Sequence, residues 1–386
     1  MILRIAMIGT RGIPARYGGF ETAVEEIGSR LACRGHDVVV YCRRADDARS
    51  RVPKHLGVSL VHLPALRHKA LETLSHTGLS ALHSVRTERF DAMIVFNAAN
   101  ALFLPLLRQR ANGVATHVDG LEWKRSKWSG VGRKYYRIAE GLAVRWSDAL
   151  ICDAQGIADY YKDEFGAEGD VIAYGAPVLR AVGADRIPSL GVGPGRYHLI
   201  VARFEPENHV DVAVEGYRAS RARHPLIVVG AAPYADDYTR RVRQLAGRDD
   251  RIRLVGALWD QEQLNQLYGN ACTYIHGHSV GGTNPSLLRA MGAGAAVLAF
   301  DVSFNRETLG SDEGMWSNPL ELADELEAAE ADPAVSLSRG QRSQVRAATA
   351  YRWDDVADAY ERLCRRLAAG GTRSRRRPGM VEIVQR

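Results

Sequence analysis

The sequence predicts an α/β protein made of two doubly wound domains in succession, and three observations carry that prediction. Short apolar runs alternate with helix-length amphipathic segments up to Ala173. A stretch rich in glycine and proline, Tyr174 to Arg196, then reads as an interdomain linker. The alternation restarts at Tyr197, so a second parallel sheet with helices on both faces follows the first. The length of 386 residues fits two domains, because one core seldom supports so long a chain.

The first domain, 1–178, takes strands at Leu3–Ile8, Val38–Cys42, Val58–Leu63, Ala92–Phe96, Val114–His117, Ala149–Cys152 and Asp170–Ala173. The second, 195–350, takes strands at Tyr197–Ala202, Leu226–Gly230, Ile252–Val255, Cys272–Ile275 and Ala296–Phe300. From about Leu320 helices take over. The last of them, within 351–369, places Val356, Ala359, Tyr360, Leu363 and Leu367 near helical spacing. The tail 370–386, with Arg373-Ser-Arg-Arg-Arg377, is expected to be mobile: either a solvated charge run or a contact for anionic lipid. Two doubly wound domains bind ligands at the carboxyl ends of their strands, so a cleft between them is the default site.

Hydrophobic residues make up 46% of the chain and charged ones 25%, ordinary values for a globular protein. No apolar run reaches the ~18 residues of a membrane span, and the first is too short and strand-like for a signal peptide, so a cytoplasmic location is expected. The five cysteines are scattered without Cys-x-x-Cys spacing, which predicts free, mostly buried thiols and no metal site. A net charge of +6 suits an anionic ligand or membrane surface better than nucleic acid. All six lysines lie at or before Lys162. The second half therefore has no lysine for a pyridoxal phosphate Schiff base, and any phosphate grip there needs arginine and backbone amides.

Four segments carry chemistry. The first strand runs into Gly9-Thr-Arg-Gly-Ile-Pro-Ala-Arg-Tyr-Gly-Gly-Phe-Glu21, a glycine-dense loop with Arg11 and Arg16 before a helix. Bare backbone and positive charge there can approach a phosphate; a tight turn is the other reading. The loop is neither Gly-x-Gly-x-x-Gly nor a Walker loop. His117-Val-Asp-Gly-Leu-Glu-Trp-Lys-Arg125 follows a strand and gathers an imidazole, Asp119, Glu122 and an indole, a mixture suited to sugar hydroxyls and acid or base work. A structural histidine remains open. Cations and aromatics interleave from Lys124 to Arg137, fitting a polyprenyl diphosphate, an anionic headgroup or a solvated helix face.

Arg203-Phe-Glu-Pro-Glu-Asn208 sits where the second domain's first strand turns toward a helix. A guanidinium there can grip a diphosphate, or it can pair with Glu205 or Glu207. Ser279-Val-Gly-Gly-Thr-Asn-Pro-Ser-Leu-Leu288 opens a helix that Thr283 or Asn284 can cap, with Pro285 in its first turn. Capping explains Thr, Asn and Pro but does not require Gly281-Gly282, whose exposed amides favour an anion.

Taken in order, these four motifs resemble bacterial glycosyltransferases of family four, specifically the rhamnosyltransferase-like subgroup, and the likeness spans nearly the whole chain. The resemblance implies a GT-B fold: two facing Rossmann-like doubly wound domains, with the C-terminal helix crossing back to the first. It implies a nucleotide-sugar donor held mainly by the second domain, an acceptor approached from the first, and metal-independent transfer with retention. By this resemblance Gly18 and Gly19 lie against the diphosphate and reacting sugar, His117 contacts that sugar, and Arg203 binds the diphosphate. Asn208 stands where many relatives have lysine. The amides of Thr283, Ser286 and Leu287 take phosphate or sugar, with Gly281, Gly282 and Asn284 beside them, and Gly256 lies near the base. Arg289 and Gly281 occupy positions where related enzymes commonly carry glutamate. A guanidinium only donates, so Arg289 inverts the hydrogen-bonding sense of a ribose grip.

The resulting expectation is a hexosyltransferase, rhamnose from dTDP-rhamnose first, with UDP- and GDP-sugars as other donors. It has no cofactor and no metal, and moves the sugar to a lipid-linked glycan or small-molecule acceptor, peripherally on the inner face of the membrane. His117, Asp119, Glu122 and Arg203 form its catalytic group, and Arg11, Arg16, Tyr17, Trp123, Lys124 and Arg125 its acceptor side. Arg289 motivates a rival, a non-catalytic nucleotide-sugar-binding protein; a nucleotide-sugar epimerase is the other.

Overall fold

The computed structural model of the chain describes residues 1–15, 18–44, 52–66, 71–118, 120–125, 128, 130–230 and 236–370. The first sheet contains β1 (Arg4–Ile8), β2 (Asp37–Arg43), β3 (Lys54–His55), β4 (Val58–Leu63), β5 (Phe90–Phe96), β6 (Ala111–His117), β7 (Ala149–Cys152) and β8 (Asp170–Val171) in the spatial order β3-β4-β2-β1-β5-β6-β7-β8. Every pairing is parallel except β3 with β4, a two-residue antiparallel edge that the sequence pattern did not announce. Its helices are α1 (Gly19–Cys33), α2 (Glu72–Ser84), α3 (Leu104–Leu107), α4 (Gly130–Trp146) and α5 (Gln155–Phe165). In α1 the apolar residues Ala23, Val24, Ile27 and Leu31 recur on one face and are buried against the sheet.

The second sheet contains β9 (His198–Val201), β10 (Leu226–Val229), β11 (Ile252–Gly256), β12 (Thr273–His276), β13 (Val297–Phe300) and β14 (Met315–Trp316), in the order β11-β10-β9-β12-β13-β14. Around it lie α6 (Val210–Ala219), α7 (Asp236–Ala246), α8 (Gln261–Gly269), α9 (Pro285–Gly292), α10 (Ser303–Leu309), α11 (Pro319–Ala331) and α12 (Pro333–Ala350). Asn284, Asn318 and Asp332 cap α9, α11 and α12, each followed by proline in the first turn. Strand order reverses between β1 and β5 in one sheet and between β9 and β12 in the other. These two switch points are where doubly wound sheets open a crevice.

α13 (Trp353–Ala368) returns to the first domain. Leu367 lies on β6, where a Cβ on Gly113 would come within 2.9 Å of the leucine Cβ. Arg30 bonds Asp354 at 2.9 Å and Arg34 bonds Glu361 at 2.9 Å, tying α13 to α1. One apolar core runs from α1 and α13 through Tyr174, Ala176 and Trp353 into β9 and β12, so the sheets share buried surface on that side. The five cysteines are free and only Cys33 is exposed.

Candidate active site

The opening loop leaves β1 at the first switch point, and its amides are engaged by α1. Arg11 N–H bonds Glu21 at 3.0 Å, Ala15 N–H bonds Glu25 at 2.8 Å, and Gly12 N–H bonds the Thr10 hydroxyl at 3.1 Å. The expected cradle of bare amides is therefore corrected: carboxylates hold this loop, and carboxylates repel phosphate. The guanidinium of Arg11 lies 3.9 Å from Glu72, on the β2 side. What the loop offers the cleft is proximity, for a Cβ on Gly19 would stand 2.8 Å from Pro285 at the start of α9. Arg16, Tyr17 and Asp119, like the tail from 371, lie outside the described residues.

His117 ends β6 and is 1% exposed. Its ring stacks between Phe96 at 5.4 Å and Tyr174 at 5.7 Å, with Phe20 edge-on at 5.2 Å. Neither ring nitrogen has a hydrogen-bond partner among the described residues. Burial pushes the imidazole down to about 3, so at neutral pH it carries one N–H and one lone pair. Such a group can bond a hydroxyl but does not supply positive charge. Glu122, also buried, pairs with Arg125 at 2.5 Å and accepts from the Trp128 indole at 3.5 Å. Beside it the Trp123 ring lies under Lys124 at 5.5 Å and Arg137 at 5.1 Å.

Across the cleft, β9 and β12 end side by side at the second switch point. Arg203 follows β9 and reaches Glu205 at 3.4 Å, the pairing that the sequence left open, while remaining partly exposed. The Asn208 amide donates to the Arg203 carbonyl at 2.8 Å, which turns its oxygen toward His278 Nδ1. His276 and His278, from the His-Gly-His run ending β12, were missed as site residues. Their position between a strand end and the Gly281-Gly282 loop was the available signal. Burial, and then the charges of Arg125, His276 and Arg203, hold His278 well below the usual imidazole range, so it is neutral.

The loop before α9 is seated on the first domain. Thr283 donates its hydroxyl to the Asp153 carbonyl, a Cβ on Gly282 would collide with Asp153 and Ile157, and one on Gly120 would stand 2.8 Å from the Gly281 carbonyl carbon. Close approach between domains thus requires these glycines. Asn284 caps α9 by accepting from Ser286 N–H at 2.9 Å, so that amide is already engaged. Leu287 has a buried side chain. Arg289 turns to α8: it bonds Asn265 at 2.7 and 3.0 Å and Gln261 at 2.8 Å, over the Tyr268 ring. Gly256 ends β11 facing open space. The structure therefore joins Arg203, Asn208 and His278, sets α9's start against Gly19, and leaves Arg289, Gly256 and Arg11 apart from them. No cluster suited to a metal ion occurs among the described residues.

Two facing parallel sheets, a cleft at both switch points and a returning last helix define the GT-B architecture of glycosyltransferases. Residues 195–332 match the family described as Glycosyl transferases group 1, and residues 3–177 match the Domain of unknown function DUF1972. Over 130 residues the chain is 28% identical to the O-antigen chain mannosyltransferase B of Escherichia coli, covering 33% of this chain and 34% of that protein. The chain thus spans about a third of that relative's length. Sucrose-phosphate synthase from Thermosynechococcus elongatus superposes with a TM-score of 0.82 at 20% identity, covering 96% of this chain and 100% of that one. Anabaena HepE, solved with UDP and glucose, gives 0.74 at 16% identity over 94% and 99%.

Proposed function

We propose that this protein transfers a hexose from a nucleoside-diphosphate sugar to a hydroxyl of a sugar-bearing or lipid-linked acceptor, without metal and with retention. One observation carries the reading: an arginine and a capped helix start lie at one switch point, and at the other lies a buried imidazole whose nitrogens have no hydrogen-bond partner among the described residues. The first pair suits a diphosphate leaving group, and the imidazole suits a sugar hydroxyl. The transferase names of the relatives support transfer over the epimerase and non-catalytic readings. Rhamnose, from dTDP-rhamnose, is the first sugar to try.

In this reading the bond from the anomeric carbon to the diphosphate oxygen breaks as the acceptor oxygen bonds that carbon on the same face. The acceptor proton passes to the departing phosphate. Arg203, with Thr283, Asn284 and the backbone around Gly281 and Gly282, stabilises the charge on the leaving group. Gly18 and Gly19 leave room for the sugar, His117 orients it, and Glu122 positions Arg125. Trp123 and Lys124, with Arg11, flank the acceptor.

The outer face of α4 supports a lipid-linked acceptor at an anionic, inner membrane face. Val131 is 84% exposed and Ile138 62%, amid Arg133, Lys134 and Arg137, while the one acid of the helix, Glu140, is buried. No helix among the described residues is long and apolar enough to cross a membrane. Incubation with a panel of dTDP-, UDP- and GDP-sugars and acceptors tests the reading. A glycosylated product that Arg203→Ala abolishes supports it, and full activity in that variant refutes the role of Arg203. Sedimentation with phosphatidylglycerol but not phosphatidylcholine vesicles is the expected membrane result.

A further inference from the structure

The loops that follow β9 and β12 are fastened to each other just beyond the second switch point. Ser279 donates its N–H to the Glu207 carbonyl at 2.9 Å and its hydroxyl to the same oxygen at 3.1 Å. His209 donates from Nδ1 to the Gly277 carbonyl at 2.8 Å, and its ring stacks on Phe300 at 4.2 Å. A Cβ on Gly277 would stand 2.2 Å from the Asn208 carbonyl oxygen, so only glycine lets the two backbones approach this closely.

One side-chain pair joins this seam to Arg203. The last ladder bond of the strand is Ala202 N–H to the Val229 carbonyl at 3.0 Å, so at Arg203 the sheet no longer holds the backbone. The turn holds it instead. Glu205 N–H and the buried Asn208 amide each donate to the Arg203 carbonyl at 2.8 Å. A carbonyl only accepts, so the amide oxygen is the end that faces His278, and His278 Nδ1 carries the proton between them. The ring is neutral, and the Asn208 oxygen decides which nitrogen keeps its one proton. Behind the histidine, Asn305 donates to the His278 carbonyl at 3.0 Å and to the Phe300 carbonyl at 2.9 Å, which ties His278 to the end of β13.

We propose that His278 is a positioning residue for Arg203: by donating to Asn208 it holds the amide on the Arg203 carbonyl and so sets where the guanidinium meets the leaving diphosphate. The proposal rests on the role given to Arg203 above. The same turn carries Glu205, the carboxylate that the guanidinium reaches at 3.4 Å, so one anchor places the cation and its partner together. It also gives the neutral Asn208 a task that no lysine performs, because an ammonium has no acceptor for the Nδ1 proton.

The test is calorimetric titration of the full chain with UDP, GDP and dTDP. The variants are His278→Phe, which keeps a ring and removes the donor, His278→Asn, whose amide nitrogen takes the place of Nδ1, Arg203→Ala, and His278→Phe with Arg203→Ala. His278→Phe should weaken diphosphate binding by about tenfold, as for a misaligned charge-assisted contact. His278→Asn should return the affinity to within about threefold of the unaltered chain, because the donor to Asn208 is restored. In the Arg203→Ala background His278→Phe should change the affinity by no more than about twofold, since an effect that passes through the guanidinium disappears with it. Where His278→Phe folds poorly, Asn208→Ala breaks the bridge from its other end and should show the same loss and the same dependence on Arg203. Losses that add in the double variant, or no recovery in His278→Asn, overturn the positioning role. Unchanged affinity in His278→Phe beside weakened binding in Arg203→Ala overturns it too and leaves the role of Arg203 standing. Unchanged affinity in Arg203→Ala, or failure of the unaltered chain to bind any of the three diphosphates, overturns the role of Arg203 and the positioning with it.

Discussion

Gly120→Ala tests whether the two domains must touch for the site to work. The backbone at Gly120 is outside the left-handed region, so alanine meets no strain of its own and acts through space alone. The new methyl would stand 2.8 Å from the Gly281 carbonyl carbon and 2.7 Å from Ile157 Cδ1. Ordinary contact begins near 3.4 Å, so the domains must part by about 0.6 Å at this point. Overpacking of this kind costs roughly 1 to 3 kcal/mol. Charged to the closed arrangement alone, that lowers its population about 5- to 150-fold, and the apparent affinity for a ligand gripped from both sides falls alike. Titration with UDP and small-angle scattering with and without it measure the effect. The double variant Gly120→Ala/Ile157→Val removes the clash inside the first domain, keeps the one across the cleft, and should behave like the single variant. Wild-type UDP affinity in Gly120→Ala would refute the reasoning, and so would full recovery in the double variant.

Three further outcomes follow from the packing and the charges. Leu367→Ala, which empties the buried contact between α13 and β6, should lower stability by roughly 2 to 5 kcal/mol, read from the urea midpoint. At Glu330 burial pushes the carboxyl up, but hydrogen bonds from His198 and from the amides of Arg223 and His224 outweigh it and hold it down to about 2. Its stabilisation is therefore present above its ordinary value of 4.5 and lost as pH falls from there toward about 2, and Glu330→Gln should flatten that part of an acid titration. Among the thiols, burial pushes Cys42 and Cys272 up to about 11 and Cys152 and Cys364 up to about 12, while Cys33 is exposed. A thiol reagent at pH 8 should label one cysteine quickly in the native protein and five after unfolding.

The sheets were legible because parallel strands buried on both faces read as short apolar runs, and Ala92–Phe96 and Leu226–Val229 show no polar interruption. The strands that escaped notice, β3 and β14, have two residues each, too few for any period. Asn284 and Pro285 were legible as a helix start because capping is a local property. The partners of a charged or polar side chain are not local. Nothing in Gly9–Glu21 announces that Glu21 and Glu25 take the loop's amides, since the pairing needs the helix to fold back over the loop. Likewise Arg289 reads as a cation turned to the ligand, yet α8, 20 to 28 residues earlier, supplies the acceptors that hold it.

Gly281-Gly282 shows how the two kinds of information combine. The sequence alone offers an anion loop as the reason for glycine at both positions. The structure gives a steric reason at Gly282, where Asp153 and Ile157 fill the space that a side chain would take, and a conformational one at Gly281, whose φ of 129° disfavours any other residue. The two reasons act together: a loop that must lie flat on the opposite domain carries whatever it binds into contact with that domain. On the function proposed above, His117 on one side and Arg203 on the other then serve one ligand when this loop is seated on the first domain. In that reading the His117 nitrogens, which have no hydrogen-bond partner among the described residues, take a sugar hydroxyl as acceptor or donor beside the rings of Phe96 and Tyr174. On this logic His117→Phe, which keeps the stacking and removes both nitrogens, should preserve the fold and nucleoside-diphosphate affinity while lowering turnover of the donor sugar by about tenfold or more. Loss of diphosphate affinity in that variant would instead tie the imidazole to the nucleotide and move the sugar elsewhere in the cleft.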